Sequence, residues 1–370
     1  MPNYTRLLHV VGARPNFIKV GPLIKAIGKR LPNNEQLLVH TGQHFDPNMS
    51  EIFFEQLGIP YPDINLEVSM GNGLTQLSEM LSRLEAPIKN FKPECIVVYG
   101  DTNSTLAGAL AGSKLGIPIA HVESGLRSRD PSMPEEINRI ITDSVSSYLF
   151  TPSQDANNNL LKENISENKI FFVGNIMIDT LISSMTDIDN SSILNTMNLR
   201  AGNDSQPIPY NVLTLHRPSN VDDNTSISKL LKSILDMPMT RPTIFPVHPR
   251  SQARIEAIID TLQADTMICI KPLGYIDFLC LVKNAKLVIT DSGGIQEETT
   301  YLGTPCVTLR TTTERPITVI KGTNSLVNPN DPNLTQRILG AIRSQANKQS
   351  QIPKLWDGQT SERIADVLIG

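Results

Sequence analysis

The chain has 370 residues, 39% hydrophobic and 19% charged, which excludes a disordered polypeptide and exceeds what one hydrophobic core ordinarily serves, so two domains are expected. A net charge of −4 gives no electrostatic ground for a nucleic-acid or acidic-membrane partner. No run reaches the roughly 18 unbroken apolar residues of a membrane helix, and the N-terminus lacks the ordered regions of a signal peptide, so a cytoplasmic protein is expected.

In chain order, the strand candidates are Leu7–Val11, Gln36–His40, Cys95–Tyr99, Pro118–Val122, Tyr148–Thr151 and Ile170–Val173. A second series follows at Asn211–Leu215, Thr243–Val247, Met267–Ile270, Leu287–Thr290 and Cys306–Leu309. These runs are short, rich in β-branched residues and not alternating, and helix-length amphipathic segments separate them. That is the pattern of parallel sheet covered on both faces. Two such series predict an α/β fold of two Rossmann-like, doubly wound domains, residues 1–174 and 175–356. The helical spacing of Ile364, Val367 and Leu368 suggests that a tail helix, 357–370, packs back onto the first domain. Thr186–Pro209 is polar and rich in Asp, Asn, Ser and Pro, so it reads as a mobile surface insert. The four cysteines lie in apolar runs without CxxC spacing and are expected to be buried reduced thiols.

Open parallel sheets bind ligands outside the carboxyl ends of their strands. Here those ends carry Gly12–Asn16, His40–His44, Gly100–Ser104, Glu123–Arg127, His216–Pro218, His248–Arg250 and Asp291–Gly294. One polar strand-end loop means little; a series holding His, Arg, Asp and Glu favours a built site. Gly12-Ala13-Arg14-Pro15 lacks the GxGxxG spacing, which argues against NAD. No close His, Asp or Cys spacing suggests a metal.

Asp291-Ser292-Gly293-Gly294 ends a strand and opens a helix, where free N–H groups bind phosphate; an ordinary N-cap is the competing reading. Glu298 lies one turn into that helix, within reach of a ribose diol. Arg315, in the loop after the following strand, is a plausible phosphate contact through its planar fork. Arg14 and Lys19 could face a diphosphate from the first domain. Asp101, Glu123 and the Glu135-Glu136 pair place carboxylates on successive strand ends and a helix start. Acids opening a helix are explained by its dipole, but clustered carboxylates can act as general acid or base. His216 adds an imidazole, with His44 and His248 as weaker candidates. Phe278 could stack on a base or belong to the core.

The runs GARPNFIK, HTGQHFD, YGDTNSTLAGALA, HVESGLRS, MPEEINR, LHRPSNVD, PVHPR, LVITDSGGIQEET and TTERP, in this order, resemble the non-hydrolysing UDP-N-acetylglucosamine 2-epimerases over about Leu7 to Leu326. The resemblance implies a GT-B-like pair of domains with the active site in the interdomain cleft and UDP held mainly by the C-terminal domain. It implies that Ser292, Gly293 and Gly294 meet the diphosphate, Glu298 the ribose, Arg315, Arg14 and Lys19 the phosphates, and Leu273 and Phe278 the uracil region. Asp101, Glu123, Glu135 and His216 would form the catalytic group, with no cofactor or metal and a homodimeric assembly.

The implied chemistry is loss of UDP to a 2-acetamidoglucal, then re-addition with reprotonation of C2 on the other face. The members activated by UDP-GlcNAc carry an arginine after the Gln43-His44 pair, where this chain has Phe45. Gln43–Asp46 and Met49–Phe54 resemble members that epimerise UDP-2,3-diacetamido-glucuronic acid, whereas TTERP and His216-Arg217-Pro218 look like the UDP-GlcNAc type. A hydrolysing epimerase, a GT-B glycosyltransferase and an inactive nucleotide-sugar sensor are the other readings.

Overall fold

Cys95–Tyr99, with Ile96, Val97 and Val98 between them, buries all five of its side chains, as a strand covered on both faces must. The computed structural model describes residues 2–32, 35–42, 56–68, 71, 73–200, 206–238, 241–247, 249–263 and 266–370, and divides the chain into two units. The first comprises Met1–Ser183 with Lys354–Gly370, the second Ser184–Pro353.

The first unit holds a seven-stranded sheet in the order β3-β2-β1-β4-β5-β6-β7. Its strands are β1 (Arg6–Val11), β2 (Glu35–His40), β3 (Ile64–Asn65), β4 (Cys95–Tyr99), β5 (Ile119–Val122), β6 (Tyr148–Thr151) and β7 (Ile170–Phe172). All of the pairings are parallel, and β1 lies between β2 and β4, with Leu8 opposite both Leu37 and Ile96. Helix Asn103–Lys114 is built from Gly, Ala and Leu because it lies directly on this sheet. A Cβ on Gly108 would stand 2.9 Å from a Val98 methyl and 3.1 Å from Val10 Cβ, so a side chain there would lift the helix.

Helix Arg14–Arg30 contains Pro22, which cannot donate to the carbonyl of Ile18 one turn back. Thr180 supplies the missing donor, its Oγ1 bonding Ile18 O at 2.6 Å. The C-terminal helix Thr360–Ile369 packs on the same helix, with Arg30 bridging Glu362 at 2.7 Å. Its first N–H groups, at Thr360 and Ser361, donate to buried Asp179 at 3.1 and 2.7 Å, an acid placed where the helix dipole favours it.

The second unit holds a six-stranded sheet in the order β10-β9-β8-β11-β12-β13. These are β8 (Asn211–Thr214), β9 (Thr243–Pro246), β10 (Met267–Ile270), β11 (Leu287–Thr290), β12 (Cys306–Leu309) and β13 (Asn324–Val327), again all parallel. Leu213, Phe245, Ile289 and Val307 from the sheet pack with Ile227, Leu231 and Ile255 from its helices. Both units therefore have the Rossmann-like parallel arrangement that the strand runs suggest.

Of the segment Thr186–Pro209, the described residues up to 200 are not the surface insert expected from its composition. Helices Met185–Asn190 and Ile193–Thr196 occupy part of it, and Ile188, Leu194 and Leu199 are buried. A few well-spaced apolar residues suffice to dock it on helix Tyr275–Asn284, where Ser191 Oγ donates to Asp277 Oδ1 at 2.6 Å. Strands β3 and β13 were not read from the sequence. Cys95, Cys280 and Cys306 are buried free thiols, while Cys269 is partly exposed. Among the described residues no helix is long and apolar enough to cross a membrane.

Candidate active site

In the first unit the strand order reverses between β1 and β4, so the loops leaving these strands flank the position where such sheets bind ligands. Gly12, just after β1, allows close passage: a Cβ there would meet Ser104 Oγ at 1.9 Å and Thr41 Oγ1 at 2.3 Å. Buried Asn16 joins the two loops. Its Oδ1 accepts from the N–H groups of Gly12 and Ala13, both at 3.1 Å, and its Nδ2 donates to Tyr99 O at 2.8 Å.

Asp101 follows β4, with its side chain 28% exposed. Arg139, from helix Pro134–Val145, reaches Asp101 Oδ2 with Nη1 at 2.5 Å, and Asn138 Nδ2 holds the Asp101 carbonyl at 2.9 Å. The same guanidinium bonds Glu136 Oε2 through Nη2 at 2.6 Å and Nε at 3.1 Å. Glu136 also accepts from the N–H groups of Ser128 and Arg129, both at 2.9 Å. Burial pushes this carboxyl up, but Arg139 and the two N–H donors bring it below its ordinary value. Of the two adjacent glutamates, then, Glu136 orients Arg139, while Glu135 on the next helical position is exposed.

Glu123 follows β5 with φ +72, an uncommon value for a residue with a side chain. Its carboxylate, 6% exposed, forms a buried ion pair with Lys19, 4% exposed, from helix Arg14–Arg30. Gly100 is wedged beside the pair, where a Cβ would lie 2.8 Å from Lys19 Nζ and 3.4 Å from Glu123 Oε2. Lys19 thus neutralises a candidate base, a partner that the sequence reading, which gave it to a phosphate, did not contain. Arg14 opens the same helix, but its side chain is outside those described. Gln43–Asp46, Met49–Phe54 and His248 lie outside the described residues, as does the side chain of Arg250.

In the second unit the order reverses between β8 and β11, which brings His216 and Asp291 together. His216 Nδ1 lies 2.6 Å from Asp291 Oδ1, and the ring is 61% exposed above a fully buried carboxylate. Asp291 also accepts from Arg217 N at 3.0 Å and Asn220 Nδ2 at 2.9 Å. Burial works to raise Asp291, but these partners, His216 foremost, hold it below the usual carboxylate range. An ionised Asp291 fixes one ring nitrogen and leaves the other on the exposed face.

Ser292 caps helix Gly293–Leu302 without a side-chain bond to it, which leaves the helix's first N–H groups for another acceptor. A Cβ on Gly293 would meet Arg315 Nη1 at 2.6 Å, so this glycine makes room for the guanidinium at the helix start. Arg315 is held there by Glu297, with Nε–Oε2 at 2.9 Å, and by Glu314, which also takes Arg310 at 2.7 Å. Gln296 Oε1 accepts from Thr313 Oγ1 at 2.7 Å and ties that loop to the helix. Glu298 is buried, and that burial pushes its carboxyl up to about 8. Leu273 and Phe278, before and on helix Tyr275–Asn284, are partly exposed.

The structure thus places Asp101 and Glu123 at the ends of adjoining strands in one unit, with Lys19 reaching Glu123 from helix Arg14–Arg30, and His216, Ser292–Gly294 and Arg315 around the reversal point of the other. The sequence reading missed Arg139, Glu136 and Asp291 as working partners. The i, i+3 spacing of Glu136 and Arg139 on one helix face was the available signal.

Comparison with known proteins gives the family. Residues 28–369 match the family model for UDP-N-acetylglucosamine 2-epimerase. The chain is 42% identical over 371 residues to a UDP-N-acetylglucosamine 2-epimerase of Methanocaldococcus jannaschii, covering 98% of each. It is 40% identical over 366 residues to a UDP-2,3-diacetamido-2,3-dideoxy-D-glucuronate 2-epimerase of Pseudomonas aeruginosa, covering 98% of this chain and 99% of that one. A crystal structure of the M. jannaschii UDP-GlcNAc 2-epimerase in complex with UDP-GlcNAc and UDP superposes with a TM-score of 0.87 at 40% identity over 98% of both chains.

Proposed function

Because the chain belongs to the UDP-N-acetylglucosamine 2-epimerase family, we propose that it interconverts UDP-GlcNAc and UDP-ManNAc without net hydrolysis. The observation that carries this is the pair of carboxylates, Asp101 and Glu123, each held by its own buried cation, Arg139 and Lys19, at neighbouring strand ends.

C2 of an N-acetylhexosamine has no adjacent carbonyl, so its proton is removed only as charge leaves elsewhere. A base takes the C2 proton; the C–H electron pair becomes the C1–C2 double bond, and the C1–O pair departs with UDP. UDP then adds back to C1 while C2 is protonated on its other face. In this reading Asp101 and Glu123 handle the two faces of C2, with Glu135 orienting or sharing the proton. The UDP moiety belongs mainly to the C-terminal domain, with Ser292, Gly293 and Gly294 at the diphosphate, Arg315 at its charge, Glu298 at the ribose, and Leu273 and Phe278 at the base, while Arg14 of the N-terminal domain adds a positive charge for the phosphates. His216 stands at the leaving phosphate, where a donor stabilises developing negative charge. A homodimer in the cytoplasm completes the proposal.

Proton NMR of the purified protein with UDP-GlcNAc in D2O tests this. UDP-ManNAc carrying deuterium at C2 supports the epimerase; free ManNAc with UDP indicates hydrolysis. Silence with UDP-GlcNAc and turnover of UDP-2,3-diacetamido-glucuronic acid would transfer the reading to that substrate, which the P. aeruginosa relative keeps in view.

A further inference from the structure

His121, the third residue of β5, is fully buried and makes two short contacts. Its Nδ1 lies 2.6 Å from Asp143 Oδ1 and its Nε2 lies 2.7 Å from the carbonyl oxygen of Gly100. A carbonyl can only accept, so Nε2 carries a proton. Asp143 is buried too, and its other oxygen accepts from Arg127 Nη1 at 2.7 Å and from Gly125 N at 3.1 Å. The ring thus bridges the Gly100 carbonyl to Asp143, and Asp143 carries the link on to Gly125.

The partners of this imidazole matter for what they carry. Gly100 immediately precedes Asp101, and Gly125 stands two residues after Glu123. Both glycines have positive φ, +67 and +78, as does Glu123 at +72. Gly125 also lies so close to Ala156 O that a Cβ would stand 2.5 Å from it. The glycines adopt this conformation freely, whereas at Glu123 it is strained and persists where surrounding contacts over-determine it. The His121–Asp143 pair supplies such contacts to both loops at once.

Resting on the epimerase reading above, we propose that His121 and Asp143 are positioning residues: the buried ring and its carboxylate tie Gly100 to Gly125 and so fix the separation of the Asp101 and Glu123 carboxyl groups. Neither side chain touches substrate in this account. Arg127, anchored in turn by Glu163 at 2.6 and 2.8 Å, closes the network from the outside.

Two measurements on the full chain decide it. Long-range proton–nitrogen correlation spectra of the ligand-free protein should show His121 Nε2 carrying the proton that bonds the Gly100 carbonyl; an unprotonated Nε2 overturns the assignment. Asp143→Asn and His121→Asn should each lower kcat for UDP-GlcNAc about 100-fold while KM stays within about twofold, as expected for misplacement of reacting groups by about an ångström. If one variant does not fold, the other and the spectrum still decide. A folded variant whose kcat lies within threefold of the parent overturns the proposal, as does a loss in KM alone. A parent chain inert towards both UDP-sugars counts against the epimerase reading, and the ring spectrum then still tests the His121–Gly100 strut by itself.

Discussion

Replacing Glu298 with Gln isolates the cost of a carboxyl group buried beside Tyr275 and Glu297. Burial moves this group from its ordinary 4.5 up to about 8. Between those values the folded chain keeps a proton that the unfolded chain releases, so stability falls as pH rises through the window. Below about 4.5 both states are protonated and the penalty is absent. At about 1.4 kcal/mol per pH unit the full penalty is about 5 kcal/mol, of which about 3 kcal/mol is present at pH 7. Gln cannot ionise, so Glu298→Gln should unfold at a temperature that depends less on pH. Thermal unfolding of parent and variant at pH 5, 6, 7 and 8 gives the comparison. The variant should gain several degrees on the parent between pH 5 and 8 in the transition that reports the second unit. Parallel curves across that range would refute the argument that Glu298 is held protonated by burial.

Three further outcomes follow from named contacts. Gly293→Ala pushes a methyl against Arg315 Nη1, and calorimetric titration should show UDP affinity falling at least about tenfold, equivalent to about 1.4 kcal/mol, with the fold retained. Arg139→Lys keeps the charge but loses the fork that serves Asp101 and Glu136 together, so kcat should fall about 10- to 100-fold while UDP affinity is unchanged. Gly12→Ala drives a Cβ into Ser104 and Thr41, and denaturant unfolding should show a loss of about 1–3 kcal/mol in the first unit.

Much of the fold was legible because a parallel sheet buried on both faces writes itself as short apolar runs. Ile96–Tyr99 and Leu287–Thr290 can hardly be anything else. What escaped were elements whose identity depends on neighbours. β3 is two residues long and exists only through pairing with Val39 and His40. In β13, Asn324 spends its side chain on Thr308 and Gln296, so the strand carries a polar residue where a pattern search wants an apolar one. The segment after Thr186 misled for a related reason: its mean polarity concealed Ile188, Leu194 and Leu199, whose burial needs only one exposed stripe on a neighbouring helix.

The site shows the same division more sharply. Residue types and loop positions were readable, since Asp101, Glu123, His216 and Ser292–Gly294 all follow strands. Pairing was not, because Lys19 and Glu123 meet across 104 residues, and Asp101 and Arg139 across 38. Yet pairing decides what each carboxylate can do. A buried glutamate without a cation would take up a proton and lose its use as a base, whereas Glu123 beside Lys19 is stabilised as an anion. Equally, the adjacent Glu135 and Glu136 are indistinguishable in the sequence. The helix separates them by turning one side chain onto Arg139 and Ser128 and the other to the exposed face. The chemistry of this site therefore resides in its cation partners as much as in its acids, and a variant that removes a partner should silence a carboxylate that is still in place.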